Sequence, residues 1–249
     1  MFTDTHCHIY KEYYEDIDEV IHNAIQNGVN RFINNATDKE NIGEVLHLSQ
    51  KYDGMYCAIG YHPEDIDSIT EEVLSHLENH LKAEKVIAIG EIGLDYHYTK
   101  ENKEKQIFFF EKQLELAEKY SLPVVVHSRE ATLDTMETLK KYNVKGVIHS
   151  FSGSLETARE YIKMGYLLGI NGVITFKNCK IKEVFKEISL ENIILETDSP
   201  YLTPVPFRGK QNSPSHIMDI ANYLCNLYDI SLEKLASETN RNIKRIFDI

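Results

Sequence analysis

Eight short apolar runs, helical spacing between them, and histidines or acids at the ends of several runs predict a single α/β domain. The expected fold is a (β/α)8 TIM-type barrel spanning residues 1–249, with its chemistry at the C-terminal ends of the strands. The runs are Phe2 to Thr5, Arg31 to Asn35, Met55 to Gly60, Val86 to Gly90, Pro123 to Val126, Gly146 to Ile148, Tyr166 to Ile170 and Asn192 to Leu195. Each is too apolar for a strand with one wet face, which points to parallel strands covered on both sides.

The first run leads into His6 and His8, which alternation sends to one side of the strand while Cys7 points to the other. Gly28 stands where the first helix must stop before the second run, and Gly165 does the same before the seventh. The third run continues as GYHPE, so His62 falls in the loop beyond it. The fourth reads VIAIGE and ends at Glu91. The clearest helix follows, with Ile107, Phe110, Leu114 and Ala117 facing inward and Glu104, Lys105, Glu111, Lys112, Glu115 and Glu118 outward. The fifth run ends PVVVH at His127, the sixth ends GVIHS at His149, and Asp198 follows the eighth in IILETD. Pro200, Pro204, Pro206 and Pro214 then cluster beside Arg208, Gly209 and Lys210 in a long loop of the kind that builds an active face. Strand starts are never more than 37 residues apart, and neither G-x-G-x-x-G nor a Walker A sequence is present. A closed β/α repeat therefore fits better than an open doubly wound sheet.

Charge limits the partners. With 27 basic and 39 acidic residues the net is −12, which repels long polyanions over the general surface and argues against a broad duplex-binding face. Phosphate substrates need local cations, and bound divalent ions would be the largest of these. The longest apolar run, Met55 to Ile59, is far too short for a membrane helix, and the N-terminus lacks the pattern of a signal peptide. Cys7, Cys57, Cys179 and Cys225 form no C-x-x-C pair. A cytoplasmic protein with reduced, mostly buried thiols is expected, with no membrane partner, and the chain is compatible with a monomer.

The H-x-H pair alone is weak, since about 0.5 such pair arises by chance in a chain with 11 histidines in 249 residues. Placement strengthens it: His6, His8, Glu91, His127, His149 and Asp198 would all project into one ring at the catalytic end. Four imidazoles and two carboxylates exceed one closed tetrahedral ion but suit two divalent ions sharing a carboxylate. The donors favour Zn, Mn, Co or Ni, and Mg also fits a mixed site. His62 is expected to face the same mouth and serve a leaving group, against the alternative of structuring its loop. Arg129, Arg208 and Lys210 are the cations that would cradle a phosphate. His76 and His80 have helical metal-pair spacing, but HLENH is not H-E-x-x-H, and they read as a solvated outer face, as do His22 and His47.

These segments, namely DTHCH, GYHPE, GEIGLDYHY, LPVVVHSREA, HSFSG, ETDSPYLTPVPFRGK and TNRNIKRIF, resemble the TatD family of metal-dependent deoxyribonucleases within the amidohydrolase-like barrels, over nearly the whole chain. The resemblance implies that His6, His8, Glu91 and Asp198 hold one metal and that Glu91, His127 and His149 surround a second. It also implies metal-dependent cleavage of DNA from a 3′ end; the net charge of −12 narrows the expected substrate to a strand end or short single strand, and Asp198, Glu91 and His62 are the expected catalytic groups. Glu91 at the fourth strand, where related binuclear hydrolases carry a carboxylated lysine, separates the chain from the phosphotriesterase and hydantoinase branches. One departure stands out: after RGK the family commonly continues with Arg, Asn and an acid, whereas here Gln211, Asn212 and Ser213 follow and a basic side chain is missing. The competing expectation is a binuclear hydrolase of a small amide, lactone or phosphoester, which the acidic surface accommodates naturally.

Overall fold

A computed structural model describes all 249 residues, Met1–Ile249. The elements alternate strictly through the first eight strands. They are β1 (Phe2–Cys7), α1 (Ile17–Gln26), β2 (Val29–Ala36), α2 (Lys39–Lys51), β3 (Met55–Ile59), α3 (Glu72–His80), β4 (Val86–Asp95), α4 (Lys103–Tyr120) and β5 (Val124–Arg129). The series continues with α5 (Thr132–Leu139), β6 (Gly146–Ile148), α6 (Leu155–Lys163), β7 (Leu167–Ile170), α7 (Ile181–Lys186), β8 (Ile193–Leu195), α8 (Ile217–Tyr228) and α9 (Leu232–Phe247). The strands follow in one sheet in the order β1-β2-β3-β4-β5-β6-β7-β8, that of the predicted (β/α)8 class. No helix is long and apolar enough to cross a membrane.

The chain clusters into two compact units, residues 1–34 with 150–249, and residues 35–149. In the first, β1 pairs with β2 and β7 with β8, all parallel. Every residue of β1, β7 and β8 is buried, as strands covered on both faces require. Asp16 caps α1 by accepting from the Glu19 N–H, and Gly28 stops the turn after it at φ +85°, a conformation open to glycine. Gly165 has the same duty after α6 at φ +92°.

In residues 35–149, β3, β4, β5 and β6 pair in parallel succession. Asp38 and Asn41 form a capping box at the start of α2. Two expectations are corrected here. Glu91 does not end β4, which runs on to Asp95, because Gly93 pairs with His127 where a Cβ would stand 2.0 Å from the His127 carbonyl oxygen. The strand continues only because residue 93 has no side chain. On α4 the buried face includes Gln106, Phe109, Phe110, Gln113, Leu114 and Ala117, while Ile107 is only half-buried. The glutamines go inside because each satisfies a neighbouring backbone: Gln106 bonds the N–H and C=O of Asp95, and Gln113 bonds those of Tyr61. All four cysteines are free, with Cys7 and Cys57 buried and Cys179 and Cys225 half-buried.

Candidate metal centre

Residues 1–34 and 150–249 bring together His6, His8 and Asp198. The pleat of β1 puts the two imidazoles on one side, with their Nε2 atoms 3.0 Å apart. Asp198 Oδ1 lies 3.7 Å from His6 Nε2 and 3.5 Å from His8 Nε2. Backbone bonds set this register: the Asp198 N–H donates to the His6 carbonyl at 2.9 Å, and the His8 N–H to that of Ser199 at 2.8 Å. Asp198 itself is left-handed at φ +57°, a conformation aspartate tolerates better than most residues.

Behind this trio lies a support that sequence reasoning missed. Asp4 is fully buried and accepts from the Thr197 hydroxyl at 2.5 Å, the Thr197 N–H at 2.9 Å and the His6 N–H at 3.3 Å. It therefore ties the strand that carries the histidines to the turn that carries Asp198. Burial pushes its carboxyl up to about 8, against the three donors that favour its charge. His8 is oriented from its far side, since its Nδ1 lies 3.0 Å from the Tyr10 hydroxyl. Glu196, also missed, is fully buried and accepts from the Ser150 N–H at 2.6 Å.

Residues 35–149 gather Glu91 from β4, His127 from β5, His62 from beyond β3 and His149 from beyond β6. Glu91 Oε1 lies 2.9 Å from His127 Nδ1, 3.5 Å from His62 Nε2 and 3.7 Å from His149 Nε2. Sequence reasoning missed Asp95, whose Oδ2 takes the other side of the His127 ring at 2.9 Å from Nε2. Burial works against charge on His127, but the hydrogen bonds to Asp95 and Glu91 outweigh it and push the ring up to about 9. Burial likewise raises Asp95, and the bonds from His127 and the His97 N–H overcome it and hold its carboxyl below the usual range. His62 structures its loop, with Nδ1 accepting from the Glu64 N–H at 3.2 Å, while its Nε2 faces Glu91.

The donor sets fit divalent ions. The ligand atoms of His6, His8 and Asp198 all lie within 4.8 Å of one another, as do those of His62, Glu91 and His127. Each set offers two imidazole nitrogens and a carboxylate oxygen, chemistry suited to borderline divalent cations, and each is largely buried. In contrast, His76 and His80 on α3 are half-buried, and their Nδ1 atoms lie 3.0 Å from the Tyr61 hydroxyl and 2.8 Å from the His76 carbonyl respectively. Lys85 bonds the carbonyls of Tyr52 and Asp53, away from the Glu91 cluster.

The predicted cations are less uniform. Arg129 is exposed, 4.0 Å from Asp95 and over the ring of Tyr98. Arg208 stacks 4.1 Å above Phe176, and Lys210 lies 5.8 Å from the Phe207 ring centre. At 211–213, where Gln211 and Ser213 depart from the family's pattern and Asn212 keeps it, the stretch has a structural use. Asn212 is fully buried and its amide donates to the carbonyls of Thr197 and Tyr201, while Gln211 donates to that of Tyr13.

The sequence model described as TatD related DNase matches residues 3–248. The metal-dependent hydrolase YabD of Bacillus subtilis is 42% identical, with all of both chains covered. The metal-dependent hydrolase YcfH of Escherichia coli is 34% identical over 99% of this chain and 95% of its own. The crystal structure of the E. coli TatD homologue YjjV superposes with a TM-score of 0.94 at 33% identity, covering 100% of this chain and 98% of that one. A TatD family hydrolase from Entamoeba histolytica gives 0.88 at 27% identity, covering 99% and 97%. With a family match from end to end, its fold class and clusters of metal-competent side chains, the chain belongs to the TatD family of metal-dependent hydrolases.

Proposed function

We propose that this hydrolase is a deoxyribonuclease that uses two divalent ions to cleave phosphodiester bonds from the 3′ end of DNA. The observation behind this reading is the pair of imidazole–carboxylate clusters in a chain of this family. His6, His8 and Asp198 would hold one ion, and Glu91 would hold the other with His127 and His149, whose nitrogens lie 2.9 and 3.7 Å from its Oε1, which leaves His62 Nε2 free for the leaving group. Bound there, the ions supply Lewis-acid stabilisation of phosphoryl charge and activation of water, in the manner of Zn, Mn, Mg, Co or Ni sites. Asp198 orients the attacking water and takes up its proton. His62 Nε2 passes a proton to the leaving oxygen, and Arg129, Arg208 and Lys210 hold flanking phosphates. The net charge of −12 favours a single-stranded end over a long duplex footprint. Four free thiols fit the reducing cytoplasm.

The test is a time course on end-labelled single-stranded DNA, using chelator-treated protein with each ion restored, beside Glu91→Ala. A ladder shortening from the 3′ end that needs the ion and vanishes in the variant supports the reading. Equal rates on closed circular and 3′-ended DNA refute the end preference. The acidic surface favours one other reading, hydrolysis of a small amide, lactone or phosphoester. Changing Arg208 and Lys210 together to alanine spares a neutral substrate of that kind and damages turnover of a nucleotide one.

A further inference from the structure

The segment that follows His8 and the loop that follows Asp198 meet in an aromatic cluster that the metal chemistry does not use. Tyr10 is buried against His8, with ring centres 5.7 Å apart, and Tyr13 lies 5.5 Å beyond Tyr10. Tyr13 meets Tyr201 edge-on at 5.8 Å and 71°, and their hydroxyls hydrogen-bond at 2.9 Å. Tyr201 is half exposed, yet its ring centre is only 6.4 Å from that of His8. An exposed aromatic ring thus stands one ring away from a candidate metal ligand.

The cluster is braced from behind by Gln211 and Asn212. Gln211 donates to the Tyr13 carbonyl at 2.5 Å, and the buried amide of Asn212 donates to the Tyr201 carbonyl at 2.5 Å. The Tyr201 N–H donates to the Asp198 carbonyl at 2.8 Å, so the ring and the carboxylate move as one turn. The Asn212 carbonyl in turn accepts from the Tyr14 hydroxyl at 2.8 Å. The stretch in which the sequence lacks a basic side chain therefore holds two tyrosines in place. Preorganised rings of this kind bind flat π-systems at little entropic cost, and stacking is tolerant of base identity because every base has a π-face.

We propose that Tyr201, supported by Tyr13, is a stacking platform for an unpaired nucleobase of the substrate strand. This deepens the nuclease reading and rests on it: the strand end is gripped by a stacked base near the His6, His8 and Asp198 cluster, in place of part of the cationic grip on phosphate. The stacked base displaces no counterion, so this contact persists as salt rises.

The test separates the platform from the nuclease activity. A pentadeoxynucleotide with 2-aminopurine as its 3′-terminal base is titrated with the full chain in chelator, reading fluorescence quenching. Cleavage of the same strand and of one abasic at that position is measured in parallel with the divalent ions. Quenching by the parent and by Tyr201→Phe, lost in Tyr201→Leu, is expected. So is a KM about 5- to 100-fold lower for the base-bearing strand than for the abasic one, a preference that Tyr201→Leu abolishes. Quenching by the parent that is lost in Tyr201→Leu, without cleavage under any ion, keeps the platform and sinks the nuclease reading. Cleavage with equal KM on both strands, no quenching by the parent, or undiminished quenching by Tyr201→Leu overturns the platform.

Discussion

Asp95→Asn tests the electrostatics around β4 and β5 without touching a proposed ligand. In the metal-free protein His127 is bracketed by Glu91 and Asp95, both at 2.9 Å, and is pushed from 6.5 up to about 9. At 1.36 kcal/mol per pH unit, that shift contributes about 3 kcal/mol of stability. The fold keeps a proton that the unfolded chain has already lost, so this stability is fully present below pH 6.5 and disappears as pH rises through about 9. For a chain of this size the whole effect amounts to roughly 6–12 °C in Tm. Asp4 adds a change of the same sign in part of this window: buried and pushed from 3.8 up to about 8, it stabilises the fold below 3.8 and stops doing so as pH rises through 8. The difference between parent and variant cancels that contribution.

Asp95 accepts one of the two hydrogen bonds that hold the His127 proton, so Asp95→Asn removes about half of the effect. Thermal unfolding in chelator from pH 6 to 9.5 should show the variant about 3–6 °C below the parent at pH 6.5, with the gap closing by pH 9.5. A gap that is the same at both ends of the range, or a parent Tm that is flat between pH 6.5 and 9, would refute the assignment of a charged His127.

Three further outcomes follow from the same contacts. Ion uptake at the Glu91 cluster must expel the His127 proton, so affinity for Mn or Zn should rise about tenfold per pH unit between 6.5 and 9, with one proton released to an indicator dye. Asn212→Ala deletes side-chain bonds to Thr197, Tyr201 and Ser213 in a fully buried site, and should cost about 3 kcal/mol, seen as a Tm lower by about 6–12 °C. Gly169→Ala would place a Cβ 2.3 Å from Glu196 Oε2, so the carboxylate must shift against its bond from Ser150; a loss of about 1–3 kcal/mol in denaturant unfolding is expected, and an unchanged midpoint counts against that packing.

What the sequence makes legible is whatever a periodic pattern carries. Most of the strands show themselves because a strand covered on both faces is rich in apolar residues, as at Val124, Val125 and Val126, whereas β1 also buries Thr3, Asp4, Thr5 and His6. His6 and His8 are legible because a period of two fixes a shared side without reference to any partner, and their Nε2 atoms do meet. The reading of α4 fails for the complementary reason. Apolar spacing chooses Ile107 for the interior, but burial there is decided by the backbone groups of Asp95 and Tyr61, which need Gln106 and Gln113 as partners.

The supports of the site are of this second kind. Asp4, Asp95 and Asn212 look like ordinary polar residues because the groups that need them lie far away in sequence: Thr197 for Asp4, His127 for Asp95, and Thr197 and Tyr201 for Asn212. Asp95 is hidden twice over, since it reaches His127 only if β4 runs past Gly90 and Gly93, and glycines ordinarily argue for the end of a strand. A buried carboxylate is tolerable only with donors in place, and each of these acids has them: three on Asp4, and the His127 ring and His97 N–H on Asp95. The same bonds that make the acids tolerable hold the candidate ligands in register before any ion arrives. Asp4 fixes the turn that aims Asp198, and Asp95 fixes the ring of His127. Loss of such a support should therefore weaken metal affinity with the ligand set intact, a consequence invisible to a reading that looks for ligands alone.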